Sequence, residues 1–292
     1  MNKDKIINNL NNELKKYRIP YNISVILFVG SIILGFLLHY MDVIESNFII
    51  LTISSIFISI GIYLQTKMKK IMVRFKKQYF PQVIKQYMKD GIYKADRGIS
   101  PDEIRSAEIF PYFDIYNGTD YIAGTYNNVY SKSSDIELKE KVKFNRNTKE
   151  EQVFNGRMYV FKFNKHFKKN LVLVQKKDYW KNNVDGNFKT ESILANSEFR
   201  IFSEDAHEGF YILTPHLIEK LLYLDNKYKD QIMISFNKNK MYFIDYSKNS
   251  TIDFKYFGKV KTKFIDSIFD KINDVIELVE LLDLENELFI KR

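Results

Sequence analysis

Three side chains come nearest to a reactive set in this chain of 292 residues. His207 and Glu208 are adjacent, and His216 follows, so two imidazoles and a carboxylate bracket an expected strand and the start of an expected helix. That is the donor chemistry of a zinc site, in which a metal-bound water becomes the nucleophile of a hydrolase. Neither H-E-x-x-H nor any other compact ligand spacing accompanies the trio. The plainer expectation is two surface histidines and no cofactor.

Two further groupings carry potential chemistry. Asp114, Asn117, Gly118 and Asp120 are rich in oxygen, but a calcium loop needs alternating ligands closed by a glutamate. The expected structure is a turn in which Asn-Gly supplies positive φ, and Asn155-Gly156 and Asp185-Gly186 are expected to turn in the same way. Phe161, Phe163 and Phe167 interleave with Lys162, Lys165, Lys168 and Lys169, a mixture used by single-strand nucleic-acid binders. The same alternation makes a half-buried strand with phenylalanines inward and lysines in water.

Charge favours the strand. Residues 1–100 hold 15 Lys and Arg against 6 Asp and Glu, which is the whole net charge of +9, so residues 101–292 balance at 30 and 30. The basic excess is local, and no nucleic-acid partner is expected. Cysteine is absent, which excludes disulfides, thiolate metal sites and a cysteine nucleophile. No phosphate-binding loop, dinucleotide fingerprint or nucleophile elbow occurs, so those enzyme classes lose their usual support, while the pairing of Asp and Glu in space is invisible in the sequence and leaves carboxylate chemistry open.

The elements that must position these residues begin with two uncharged runs. Residues 19–41 and 46–66 contain no Asp, Glu, Lys or Arg. Each is long enough to cross a hydrocarbon core of about 30 Å at about 1.5 Å per residue. The first alanine is Ala95, so a signal-peptidase site after the first run is not expected. Asp42 and Glu45 are the only charged residues between the runs, which makes a helical hairpin with a short acidic connection. Within it, Ser31 and Gly35, and Ser55 and Ser59, have the four-residue spacing of small residues at helix-packing faces.

Basic residues flank both runs on the same side: Lys3, Lys5, Lys15, Lys16 and Arg18 before the first, and Lys67, Lys69, Lys70, Arg74, Lys76 and Lys77 after the second. The positive-inside rule then places both termini in the cytoplasm. Met68, Ile71, Met72 and Phe75 alternate with the second basic group. They give either a helix lying on anionic headgroups or a plain continuation of the span. Pro81 is expected to break or kink this segment, and residues 90–99, with Gly91 and Gly98, to form a linker.

The expected organisation is therefore a basic N-terminus over 1–18, a transmembrane hairpin over 19–66, a basic amphipathic juxtamembrane helix and linker over 67–99, and a cytoplasmic α+β domain over 100–292. Ser100-Pro101-Asp102-Glu103 reads as a capping box opening a short helix to about Phe110. Strands are expected over 121–130, 135–144, 158–163, 171–175, 199–203, 210–213, 232–236 and 241–246. The last two flank the polar break Asn237-Lys238-Asn239-Lys240 as a hairpin. Thr214-Pro215 starts a helix carrying Leu217, Leu221, Leu222 and Leu224. A long C-terminal amphipathic helix over about 263–284 carries Phe264, Ile268, Ile272, Val275, Val279 and Leu282 on one stripe. The sheet is expected to be mostly antiparallel.

The segments Tyr121-Ile122-Ala123-Gly124, Val153-Phe154-Asn155-Gly156 leading into Phe161-Lys162-Phe163-Asn164-Lys165, Phe199-Arg200-Ile201-Phe202-Ser203 and Tyr211-Ile212-Leu213-Thr214-Pro215 carry a resemblance over residues 100–245. In their order the chain resembles a bacterial family of two-span membrane proteins with a cytoplasmic domain of unknown function. The resemblance implies that architecture and no activity, so no functional residue follows from it. Richness in Lys, Asn, Ile, Phe and Tyr points to an AT-rich bacterial genome. The function expected is a binding or scaffold module anchored in the bacterial cytoplasmic membrane. Its partners would be the lipid bilayer, anionic lipid headgroups, and a further protein or a second copy of itself. A metal-assisted hydrolase built on His207, Glu208 and His216, and an accessory subunit of a membrane complex joined through the small-residue faces, are the two competing readings.

Overall fold

The uncharged runs form two long helices, α1 (Lys3–Tyr40) and α2 (Phe48–Tyr87), each long and apolar enough to cross a membrane. This computed structural model describes residues 3–41, 48–144, 147–163, 166–168, 170–175, 188–228, 232–246 and 256–284. The acidic connection with Asp42 and Glu45, the Asp185-Gly186 pair, and Asn164, Lys165 and Lys169 lie outside the described residues. The chain divides into two units, Met1–Gln78 with Asp253–Ser267 and Tyr79–Ile252 with Ile268–Arg292.

In the first unit α1 and α2 pack antiparallel in a constant register. Ser24 faces Gly61, Ser31 faces Ser54, and Gly35 faces Ile50. Seven residues along α1 match seven back along α2, and a further four match four, the spacing of a coiled-coil seam. The seam continues past the apolar runs through Ile7, Leu10 and Leu14 on α1 and Met68, Ile71 and Phe75 on α2, all buried. Helix therefore does not stop at the edge of the spans. The basic N-terminus is the first four turns of α1, and the juxtamembrane segment is the second half of α2. Pro81, expected to break or kink that segment, lies inside α2. Its lost hydrogen bond is offset by the burial of Phe80, Val83 and Ile84 around it.

The second unit is α+β, with one eight-stranded sheet that is antiparallel at every pairing. Its strands are β1 (Lys89–Lys94), β2 (Ile115–Tyr126), β3 (Val129–Phe144), β4 (Asn147–Lys162), β5 (Leu171–Gln175), β6 (Phe199–Ser203), β7 (Ile232–Asn237) and β8 (Lys240–Asp245). Their order is β1-β2-β3-β4-β8-β7-β5-β6. β1 corrects the expected linker over 90–99, and the sheet starts before residue 100. The expected strand over 121–130 is cut by a two-residue turn at Asn127 and Asn128, with φ of 44° and 61°. Two consecutive asparagines tolerate those positive angles, and such a turn matches the twist of the strands it joins.

Helices cover the sheet: α3 (Pro101–Arg105), α4 (Ile193–Glu198), α5 (Ala206–Ile212), α6 (Pro215–Lys227) and α7 (Lys263–Leu281). Residues 210–213, expected as a strand, end α5 instead. The Asp205 carboxylate accepts from the backbone N–H of His207 and Glu208 and starts a helix there. α3 stops at Arg105, short of the expected Phe110.

Both sheet faces are buried, as near-continuous burial along β5, β7 and β8 requires. One face packs Ile136, Leu138, Met158, Val160, Val174 and Ile244 against Ile104, Ile109 and Phe113. The other meets the helices: Tyr159 bonds Asp274 of α7, and Phe243 packs edge-on to Tyr228 at the end of α6. The α7 stripe of Ile268, Ile272, Val275 and Val279 is buried within the chain.

Candidate functional site

The structure does not assemble the candidate metal trio. His207 is exposed in the first turn of α5 and His216 is exposed in the first turn of α6. The Glu208 carboxylate accepts the backbone N–H of Lys168 at 2.7 Å. Among the described residues no group of three or more His, Asp or Glu side chains is arranged to hold a metal ion. The local reason is that Asp205 and Thr214 cap two separate helices, each turning its histidine outward.

The oxygen-rich cluster also separates. Asp114 accepts from the Lys141 backbone N–H at 2.8 Å and from the Tyr112 hydroxyl at 3.0 Å. The backbone N–H holds its carboxyl below the usual value, with the tyrosine adding to the effect. Asn117-Gly118 and Asn155-Gly156 are strand residues rather than turns, and both glycines lie opposite Ile136, one from each neighbouring strand. Their need for glycine is close approach. A Cβ on Gly118 would lie 2.9 Å from Gly98 Cα, and one on Gly156 would lie 2.9 Å from Tyr246 Cα. Phe161, Phe163 and Phe167 are buried while Lys162 and Lys168 are exposed, but β4 ends at Lys162 and is buried on both faces over residues 156–161, so the segment is not the half-buried strand expected.

Alternation in the sheet instead builds a polar network that motif reading passes over. Arg157 of β4 is fully buried opposite Asp135 of β3 and forms an ion pair with it. Its second terminal nitrogen, Nη2, donates to the Ser133 hydroxyl at 3.1 Å and to the Asp120 carbonyl at 3.2 Å. Asp120 sits at a strand irregularity with φ of 52° and accepts from the Tyr93 hydroxyl. Burial alone lowers the Arg157 pKa, but Asp135, Tyr159 and Asp120 outweigh it and hold the guanidinium above its ordinary value. Burial, reinforced by Asp120, pushes Tyr93 well up. Burial, reinforced by Asp274, does the same to Tyr159. These phenols stay protonated as donors, and the network ties the strands to one another and to α7.

A second hub lies on the opposite face. Ser100 caps α3 by accepting from the Glu103 N–H, but the Glu103 carboxylate does not return to close the expected capping box. It takes Lys132 at 2.6 Å, Lys240 at 2.8 Å and the Tyr242 hydroxyl at 3.1 Å, fastening α3 to β3 and β8. Burial acts to raise this carboxyl, and the two lysines overcome it and keep the pKa low.

In the hairpin, Ser31 and Gly35 do lie in the seam. Ser55 and Ser59 do not. Both are exposed, with hydroxyls bonded to the carbonyls of Thr52 and Ser55 on their own helix. The α2 partners are Ser54 and Gly61, one residue round from the expected face, and Ser24 is the third small residue on α1. The signal that finds them is the seven-residue step shared by Ser24 and Ser31 and by Ser54 and Gly61. Of the basic group, Lys69, Lys70, Arg74 and Lys77 are exposed. Lys67 lies over the Tyr63 ring at 5.1 Å and Arg74 pairs with Glu13. Lys76 is buried with its ammonium 5.9 Å from the Phe264 ring, so it is no headgroup contact. Met68, Ile71, Met72 and Phe75, the apolar residues of that segment, are buried as well.

Comparison with known proteins adds three findings. A family profile described as "Protein of unknown function (DUF3137)" matches residues 152–284, from within β4 through α7. No curated protein matches the chain. One solved structure that resembles it is the mycobacterial trehalose monomycolate transport factor A, TtfA, at 6% identity and a TM-score of 0.35, with 66% of this chain and 88% of that one covered.

Proposed function

We propose that the protein is a binding or scaffold module anchored by its hairpin in a bacterial cytoplasmic membrane, with both termini inside. The observation that carries this is the inverted polarity of α1 and α2. Their outward surfaces are apolar, with Ile26 69%, Phe36 75% and Phe48 73% exposed, while serines and glycines fill the seam between them. In water that arrangement forfeits about 25 cal/mol for each Å² of apolar surface left wet. In hydrocarbon it is the favourable one, because small residues and hydroxyl bonds hold helices together where lipid competes equally for apolar side chains. The basic residues flanking both runs support cytoplasmic termini.

A binding role for the sheet unit is supported by its β3–β4 ribbon. Among the described residues, 140–144 and 147–151 form strand pairs only with each other, beyond the last residues that β2 and β8 engage. A lone two-stranded ribbon is marginally stable in water and gains from a partner. Because the chain lacks cysteine, topology can be tested with single introduced thiols. A membrane-impermeant maleimide should label Ser46→Cys on intact spheroplasts and Ser197→Cys only after lysis. The reverse pattern overturns the reading. A photoreactive residue at Lys143 should then give one discrete adduct in native membranes, and a diffuse smear would count against a specific partner.

A further inference from the structure

Arg18 is a cation that the hairpin unit buries with no acidic partner among the described residues. It is 7% exposed, and among the described residues its Nε has no hydrogen-bond partner and its one bond runs from Nη2 to the neutral Asn11 Oδ1 at 3.1 Å. That same oxygen already accepts from the Val260 N–H at 2.9 Å. One turn further along α1, the buried Oδ1 of Asn22 also has no donor. A buried guanidinium with only a shared neutral acceptor is costly unless an anion completes it.

Place identifies the anion. Arg18 immediately precedes the uncharged run of α1, and the hairpin register sets it level with Lys67, which immediately follows the uncharged run of α2. Lys69 and Lys70 nearby are exposed, as ordinary basic flanks are. Just inside this level lies a cavity of about 130 Å³ between the helices, bounded by Tyr21, Ser24, Gly61 and Gln65 and reaching Phe28 and Phe57. Arg18, Asn22 and Val25 share one helical stripe with the mouth of that cavity.

We propose that Arg18 and Asn22 hold the headgroup of one anionic glycerophospholipid of the inner leaflet, whose acyl chain enters the cavity. The phosphate accepts from the guanidinium, a headgroup hydroxyl donates to Asn22 Oδ1, and the chain takes the apolar depth between Phe28 and Phe57. Phosphatidylglycerol has all three parts. This rests on the membrane reading above.

The full chain, reconstituted in nanodiscs of equal phosphatidylcholine and phosphatidylglycerol and then released, is assayed by native mass spectrometry for retained lipid. Wild type should hold one phosphatidylglycerol in preference to phosphatidylcholine by about fivefold or more, a single basic contact being enough for that. Arg18→Gln should abolish the preference, Arg18→Lys should keep part of it, and Asn22→Leu, which leaves the charge in place, should weaken it. Equal retention by wild type, or unchanged preference in Arg18→Gln with a native circular dichroism spectrum, overturns the proposal. Should inorganic phosphate at millimolar concentration displace the lipid completely, the lipid assignment is overturned in favour of a phosphate site. Alkaline carbonate extraction is the separate arm: a protein that leaves the membrane refutes the anchored reading itself, whatever the lipid data show.

Discussion

Ser31 and Ser54 meet hydroxyl to hydroxyl at 2.7 Å across the hairpin, whereas Ser55, one residue further along, points away from the seam. One residue is about 100° of helix, so the two positions are distinguishable by cross-linking. In the natural cysteine-free background, Ser31→Cys with Ser54→Cys should form an internal disulfide under mild oxidant, seen as faster migration without reductant. Ser31→Cys with Ser55→Cys should not. Equal yields from the two pairs would discard the register.

The Asp135–Arg157 pair is held where neither charge reaches water. Removing one partner strands the other, so Arg157→Met should cost about 3–5 kcal/mol in urea unfolding of the detergent-solubilised chain. Asp135→Leu combined with Arg157→Met should cost less than Arg157→Met alone, because no charge is then stranded. Additive losses would show that the two do not act as a pair.

How much of this was legible follows from which residues interact locally. β5 and β6 match the expected bounds of 171–175 and 199–203 because richness in apolar, β-branched and aromatic types is a property of neighbours in sequence. α6 was readable from Thr214-Pro215 for the same reason. α5 was misread because Phe210-Tyr211-Ile212 is rich in strand-forming types, while the deciding cap, Asp205, lies upstream of them. Arg157 and Asp135 carry no local signal of pairing, since only the β3–β4 register brings them together. On the hairpin, α1 shows Ser31 and Gly35, but α2 offers two neighbouring small-residue stripes, and only the match to α1 selects Ser54 over Ser55.

Gly156 separates the two explanations of an Asn-Gly pair. If it turned the chain, Asn in its place would be tolerated, because Asn adopts positive φ readily. Its φ is not positive, and an added Cβ would run into the Asp245 carbonyl and the Phe154 ring. Gly156→Ala should therefore lower stability by about 1–3 kcal/mol. Gly156→Asn should be worse, not better. Thermal melts of the two variants decide it, and an Asn variant close to wild type would restore the turn.

Glu103 makes part of the fold sensitive to acid. The two lysines hold its folded pKa below the ordinary 4.5, so its bonds contribute fully above that value and are lost as pH falls through the lower folded one. At pH 7, Glu103→Gln should cost about 1–2 kcal/mol, the smaller figure reflecting the partial exposure of Lys132 and Lys240. Between about pH 5 and pH 3 the wild type should lose that advantage as its carboxyl protonates. The glutamine variant, which has no proton to gain there, should stay flat relative to it. Urea midpoints of both proteins across that range measure the gap directly, and a gap that stays constant down to pH 3 would mean that the Lys132 and Lys240 contacts contribute nothing to stability.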